Sequence, residues 1–201
     1  NRHNTWFNLS NYWIDYQRRC NYLLQQGEYV ADICYFYGED APRLTGQLKP
    51  EPPKGYSFDF INYDVIMNYL DVENGLFTLS SSNMNYKVMV LPELETMRPE
   101  LLRKISSLVE KGGIILGNPP KRSPSMQNYP ECDTQIKELA DQLWTNPDGK
   151  VYSNISLEDI FENINTPPVV IINKDLPVLW IHRSLPNMQI YFLTNQSDEK
   201  I

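Results

Sequence analysis

Two adjacent carboxylates, Glu39 and Asp40, stand in "CYFYGEDAPR", directly after an apolar run that ends at Gly38. Glycoside hydrolysis uses two carboxyl groups on opposite sides of a sugar, roughly 5 to 10 Å apart. Side chains of sequence neighbours usually diverge, so the two are poorly spaced as an acid and a base. Their location is better, because ligands of open parallel sheets gather beyond the C-terminal strand ends. The competing role is structural: capping the loop through its backbone N–H groups, or pairing with Arg43.

The opening "NRHNTWFNLS" holds a second cluster. Arg2, His3, Asn4 and Trp6 offer donors, acceptors and an aromatic platform, a set suited to holding a sugar. The alternative is a helix-entry loop with Trp6 packed on Trp13. A third arrangement, Glu39 with Glu131 or Asp133, would make the chain an enzyme in its own right.

Other chemistries find no support. His3 and His182 are the only histidines, and Cys20, Cys34 and Cys132 lack metal-ligand spacing, so no metal or cofactor is assigned to this segment. No G-x-S-x-G elbow is present, and the glycines of "EKGGIILGNPP" close a helix where a phosphate cradle would open one. A net charge of −7 with 18 basic against 25 acidic residues argues against a nucleic-acid partner. No apolar run approaches the roughly 20 residues of a membrane span. Lacking an initiating methionine, the chain is expected to be a piece or a processed form of a longer polypeptide.

These groups must be positioned by α/β elements. Helical spacing predicts an amphipathic helix over 11–26, with Ser10 as its cap and Gly27 as its stop. Tyr29 to Tyr37 reads as a single buried strand interrupted only by Asp32. After the Pro- and Gly-rich loop from Gly38 to Gly55 come a strand over 58–61, a helix capped by Asn62 and a hairpin at "ENG". "YKVMVLPELETMRPELLRKISSLVEKGGIILGNPP" reads strand, loop, helix, turn, strand, with Pro99 in the first helical turn. A helix over 133–144 capped by Asp133 or Thr134, a strand at 151–153 and a helix capped by Ser156 follow. The chain closes on two strands, 178–182 and 189–193. The fold class is α/β: a doubly wound, mostly parallel sheet with an N-terminal helix and a C-terminal β-hairpin.

The ordered set "RHNTW", "YQRRCNYLLQQGEYVADICYFYGEDAP", "GYSFDFINYDVI", "RSPSMQNYPECD" and "IHRSLPNMQIYFLTNQ" resembles the large bacterial α-L-rhamnosidase-like glycoside hydrolases of family 106, in the region after their catalytic barrel. The resemblance implies a (β/α)8 barrel with its catalytic glutamates upstream of Asn1, so that no catalytic residue falls in this segment. It also implies a flavodoxin-like, class I glutamine-amidotransferase-like domain without the amidotransferase cysteine. On that reading residues 1–27 are the last barrel loop and helix, 28–154 the α/β domain, and 155–201 a helix and hairpin leading to a β-sandwich. It further implies inverting hydrolysis of terminal L-rhamnose from plant glycans, calcium in the parent barrel, and a periplasmic or extracellular bacterial location. His3, Asn4, Trp6, Glu39 and Asp40 would be the parent's substrate-binding residues, the first three at the rim of the sugar pocket and the two carboxylates in the loop from Gly38 to Gly55 that faces the barrel. A stand-alone carbohydrate-binding module and a β-galactosidase-like parent remain alternatives.

Overall fold

The computed structural model describes residues 3–40, 48–146, 149–172 and 176–199. They form two compact units, one from residues up to 30 together with those after 174, the other from 31 to 174. The parallel sheet, the N-terminal helix and the C-terminal hairpin are all present, as expected from the sequence.

In the smaller unit, a 3-10 turn at Phe7–Leu9 leads into α1, Asn11–Leu24. Ser10 does not cap this helix: it already has helical backbone angles, and its hydroxyl donates to the Phe7 carbonyl at 2.6 Å. Gly27, at φ +58, turns the chain into β1, Glu28–Tyr29.

The expected single strand from Tyr29 to Tyr37 is two strands in two units. β1 is antiparallel to the C-terminal hairpin, whereas β2, Ile33–Phe36, opens the parallel sheet. The break falls at Asp32. Its carboxylate is 2% exposed, bonded to the Lys87 ammonium at 2.8 Å and to the Ser57 N–H at 3.1 Å. A buried carboxylate needs a countercharge, and Lys87 supplies it from the residue just before Val88, where a central strand of the sheet begins.

Along the chain come β3 (Phe58–Ile61), α2 (Tyr63–Asn68), and a small antiparallel sheet of β4 (Leu70–Glu73), β5 (Leu76–Leu79) and β6 (Asn85–Tyr86). Asn62 caps α2 by accepting the Val65 N–H at 2.8 Å. Asn74 and Gly75, at φ 52 and 78, make the β4–β5 turn through left-handed backbone that Asn-Gly adopts readily. Then follow β7 (Val88–Val90), α3 (Pro99–Glu110), β8 (Ile114–Leu116), α4 (Glu131–Trp144), β9 (Val151–Tyr152) and α5 (Leu157–Asn163).

The parallel sheet has the order β3-β2-β7-β8-β9. Counting its five strands along the chain, that order is 2-1-3-4-5, the flavodoxin-like doubly wound arrangement, with its switch point between β2 and β7. Ile33, Tyr35, Val88, Val90, Ile114 and Leu116 face a core completed by Leu157, Ile160 and Phe161 of α5. Thus α5 contributes to the core of the larger unit. The alternate residues Cys34, Met89 and Ile115 are fully buried on the opposite face. α3 buries Leu101, Leu102, Ile105, Leu108 and Val109 and packs beside α4.

α4 begins two residues earlier than expected, and Asp133 lies inside its first turn. Instead of capping the helix, the Asp133 carboxylate accepts the Ser123 N–H at 2.8 Å. In the smaller unit β10 (Val178–Leu185) and β11 (Met188–Asn195) run longer than the sequence suggested, because Pro186 and Asn187 alone make the turn.

Candidate functional site

The switch point places the C-terminal ends of β2 and β7 side by side, and there Glu39 and Asp40 emerge. Gly38, at φ 92, turns the chain out of the sheet. Pro99 starts α3, leaving Arg98 as its N-cap with a backbone N–H that lacks an intrahelical partner. Glu39 Oε2 accepts that N–H at 2.9 Å, while Oε1 accepts from the Arg98 guanidinium Nε.

The Glu39 side chain is only 5% exposed and Arg98 is 32% exposed. Partial burial works against the guanidinium charge, yet the hydrogen bond and charge of Glu39 outweigh it and hold the Arg98 pKa above its ordinary value. The guanidinium carbon stands 4.1 Å from the ring centroid of Tyr63, the first residue of α2. Arg98 therefore ties together the loops that follow β2, β3 and β7.

Asp40 faces the Thr96 hydroxyl at 3.3 and 3.4 Å. Thr96 in turn bridges to Arg122, and the Arg122 carbonyl accepts the Met97 N–H at 3.1 Å. The loop after β7 is thus stitched both to the carboxylates and to the loop after β8. Arg43, the other partner considered for these carboxylates, lies outside the described residues.

Chemically, both Glu39 oxygens are engaged in orienting Arg98. The arrangement fixes loop geometry and neutralises charge; it does not offer an acid and a base across an open gap. Asp133, held by Ser123, is likewise engaged. Beside Arg98 a polar cleft of about 230 Å³ is walled by Glu100, Arg103, Ser125, Asn128 and Gln135. The Arg103 guanidinium donates to Gln135 Oε1 at 2.7 Å across it.

The N-terminal cluster belongs to the smaller unit. Asn4 organises it: its Oδ1 accepts the Trp6 N–H at 3.3 Å and its carbonyl accepts the Phe7 N–H at 3.2 Å, an Asx turn into the 3-10 segment. His3 is exposed in the preceding turn, and Trp6 is 59% exposed. Trp13 stacks on Tyr16, with centroids 5.8 Å apart. Arg2 lies outside the described residues.

Arg98, Thr96 and Tyr63 were not singled out in the sequence. Pro99 marks the start of α3 and so flags Arg98 as its cap, but no local pattern links it to Glu39, 59 residues earlier. Among the described residues, no group of three or more His, Cys, Asp or Glu converges to hold a metal. Nor is any helix among the described residues long and apolar enough to cross a membrane.

Comparisons with known proteins find similarity in family, sequence and fold. The model of the glycoside hydrolase 106 family, described as alpha-L-rhamnosidase, matches residues 1–201. A protein of Formosa agariphila named "Putative beta-glucuronidase" is 36% identical over 202 residues, covering 99% of this chain and 17% of that protein. The rhamnosidase from Novosphingobium sp. PP1Y superposes with a TM-score of 0.82 at 27% identity, over 98% of this chain and 20% of that structure. The chain thus spans about a fifth of the length of either relative.

Proposed function

The chain belongs to the alpha-L-rhamnosidase family of glycoside hydrolases, family 106, and on that premise we propose that it is a non-catalytic accessory segment of a bacterial exo-glycosidase. The parent removes terminal L-rhamnose from plant glycans, and this segment shapes or supports its barrel active site. The observation that carries the reading is the engagement of Glu39. The carboxylate best placed in the switch-point crevice has both oxygens on Arg98 and cannot double as a free acid or base.

In this reading residues 1–27 complete the barrel, and the α/β unit follows it. The exposed row of Tyr12, Trp13, Tyr16 and Leu23 on α1 is the surface a barrel neighbour would cover. His3, Asn4 and Trp6 stand at the rim of the sugar pocket, and Glu39 and Asp40 steady a loop that faces the barrel. The parent works in the periplasm or outside the cell.

The test compares this segment with the full-length parent on an aryl α-L-rhamnoside. Activity confined to the parent supports the accessory role; comparable turnover by the segment alone would refute it. The name of the Formosa relative favours a second reading, in which the parent acts on a glucuronide. An aryl β-glucuronide assayed in parallel separates the two sugars.

A further inference from the structure

A second concave surface, away from the switch point, has the features of a ligand site. In the larger unit a groove of about 810 Å³ is lined by Pro53, Lys54, Tyr56, Glu158, Glu162 and Pro168, within the roughly 300–1,000 Å³ usual for small-molecule sites. Its walls are fixed to each other. The Val169 N–H donates to the Gly55 carbonyl at 3.1 Å. A Cβ on Gly55, which sits at φ +85, would meet the Val170 carbonyl oxygen at 2.2 Å.

Tyr56 is held just as firmly. One ring face stacks on Phe161 with centroids 4.0 Å apart and an interplanar angle of 11°, and its hydroxyl donates to the Thr166 carbonyl at 2.7 Å. The ring is thereby immobilised in the groove wall as a rigid aromatic platform. Glu158 and Glu162 are exposed on the same wall, four residues apart on α5 and so on one helix face.

We propose that this groove binds a neutral oligosaccharide, an inference that rests on the reading of the parent as a glycan-degrading enzyme. A flat ring fixed from behind accepts the C–H face of a pyranose, and two carboxylates on one helix face accept hydrogen bonds from its hydroxyls. The carboxylates also set the ligand's charge. The charged groups of the lining are Lys54 against Glu158 and Glu162, a net negative charge that disfavours glycans carrying uronate or sulfate groups, so the occupant is an uncharged glycan.

The experiment measures, on the full-length protein, calorimetric binding of a linear neutral galactan oligosaccharide that lacks terminal rhamnose. An oligogalacturonide and a proline-rich peptide serve as competing probes. The expected result is binding of the galactan alone, weakened about tenfold or more in the exposed double variant E158Q/E162Q. Absence of galactan binding, galactan binding insensitive to the double variant, or groove-dependent binding of the peptide or the galacturonide would each overturn the proposal. Aryl-rhamnoside hydrolysis is read separately: its absence refutes the function proposed for the parent, whereas its persistence without galactan binding refutes only the groove.

Discussion

Glu39 grips Arg98 at two points, the backbone N–H that begins α3 and the guanidinium Nε of the same residue. One carboxylate thereby caps a helix and neutralises an arginine, across the switch point where an open α/β sheet would otherwise leave a crevice.

Replacing Glu39 should therefore affect stability first. Glu39→Ala removes a 5% exposed charged acceptor and leaves the Arg98 N–H without its partner, at a cost of about 2–3 kcal/mol in urea unfolding. In the parent enzyme the accessory role predicts kcat and KM within about twofold of wild type where the variant is folded, since both carboxylate oxygens are held by Arg98. A large fall in kcat at full occupancy of the fold would place Glu39 in the chemistry.

The Asp32–Lys87 pair is the more costly of the two to break. Lys87→Met strands a carboxylate that is 2% exposed, with only Ser57 left to satisfy it, and is expected to cost about 3–5 kcal/mol. The double variant D32N/K87M should recover part of that loss, because the buried charge is removed along with its partner. A double-mutant cycle in chemical denaturation measures the coupling; additive losses would show that the pair does not interact.

Legibility in the sequence followed the range of the interaction. Local chemistry was readable: Pro99 opening α3, Gly112 and Gly113 closing it, Asn62 and Ser156 capping, Asn74-Gly75 turning the hairpin. Each of these acts within five residues of itself. The misreadings came from contacts fixed by sheet order. The run from Tyr29 to Tyr37 has the composition of one strand, and only Lys87, 55 residues beyond Asp32, shows why it breaks. Asp133 had the residue type of a cap, but the loop after β8 brings Ser123 to it first. The Glu39–Arg98 bond arises because β2 and β7 are adjacent, which becomes visible only once the strand order is known.

Stability should decline in alkali through Cys34. Complete burial raises its thiol well above the usual 9.0, with the nearby charge of Asp59 adding to the effect. A raised folded value means the contribution is fully present below pH 9 and is lost as the unfolded thiol ionises above it, at up to about 1.4 kcal/mol per pH unit. Between pH 8 and pH 10 the wild type should therefore lose more stability than Cys34→Ala, whatever the cavity costs the variant at both pH values. Equal losses would contradict the assignment. Native alkylation at pH 8 should leave Cys34 unmodified until the protein unfolds.

Gly27 tests whether the two units open separately. Its backbone is left-handed at φ +58, and a Cβ there would lie 2.2 Å from the Ser184 carbonyl oxygen and 2.8 Å from Leu185 Cγ. Arg183 ties the same corner down, donating from its guanidinium to the carbonyls of Gln26 and Gly27, the latter at 2.7 Å. Gly27→Ala must therefore push β1 off β10 as well as strain the turn, at a cost of about 2 kcal/mol or more. β1 contributes only two residues to its sheet, so it has little pairing with which to resist. Hydrogen exchange should show faster exchange at Val30, whose N–H donates to the His182 carbonyl at 3.0 Å, and along β10, with protection in β2, β7 and β8 unchanged. Loss of protection across both sheets together would mean that the chain unfolds as one cooperative body, and that the division at residue 30 has no energetic counterpart.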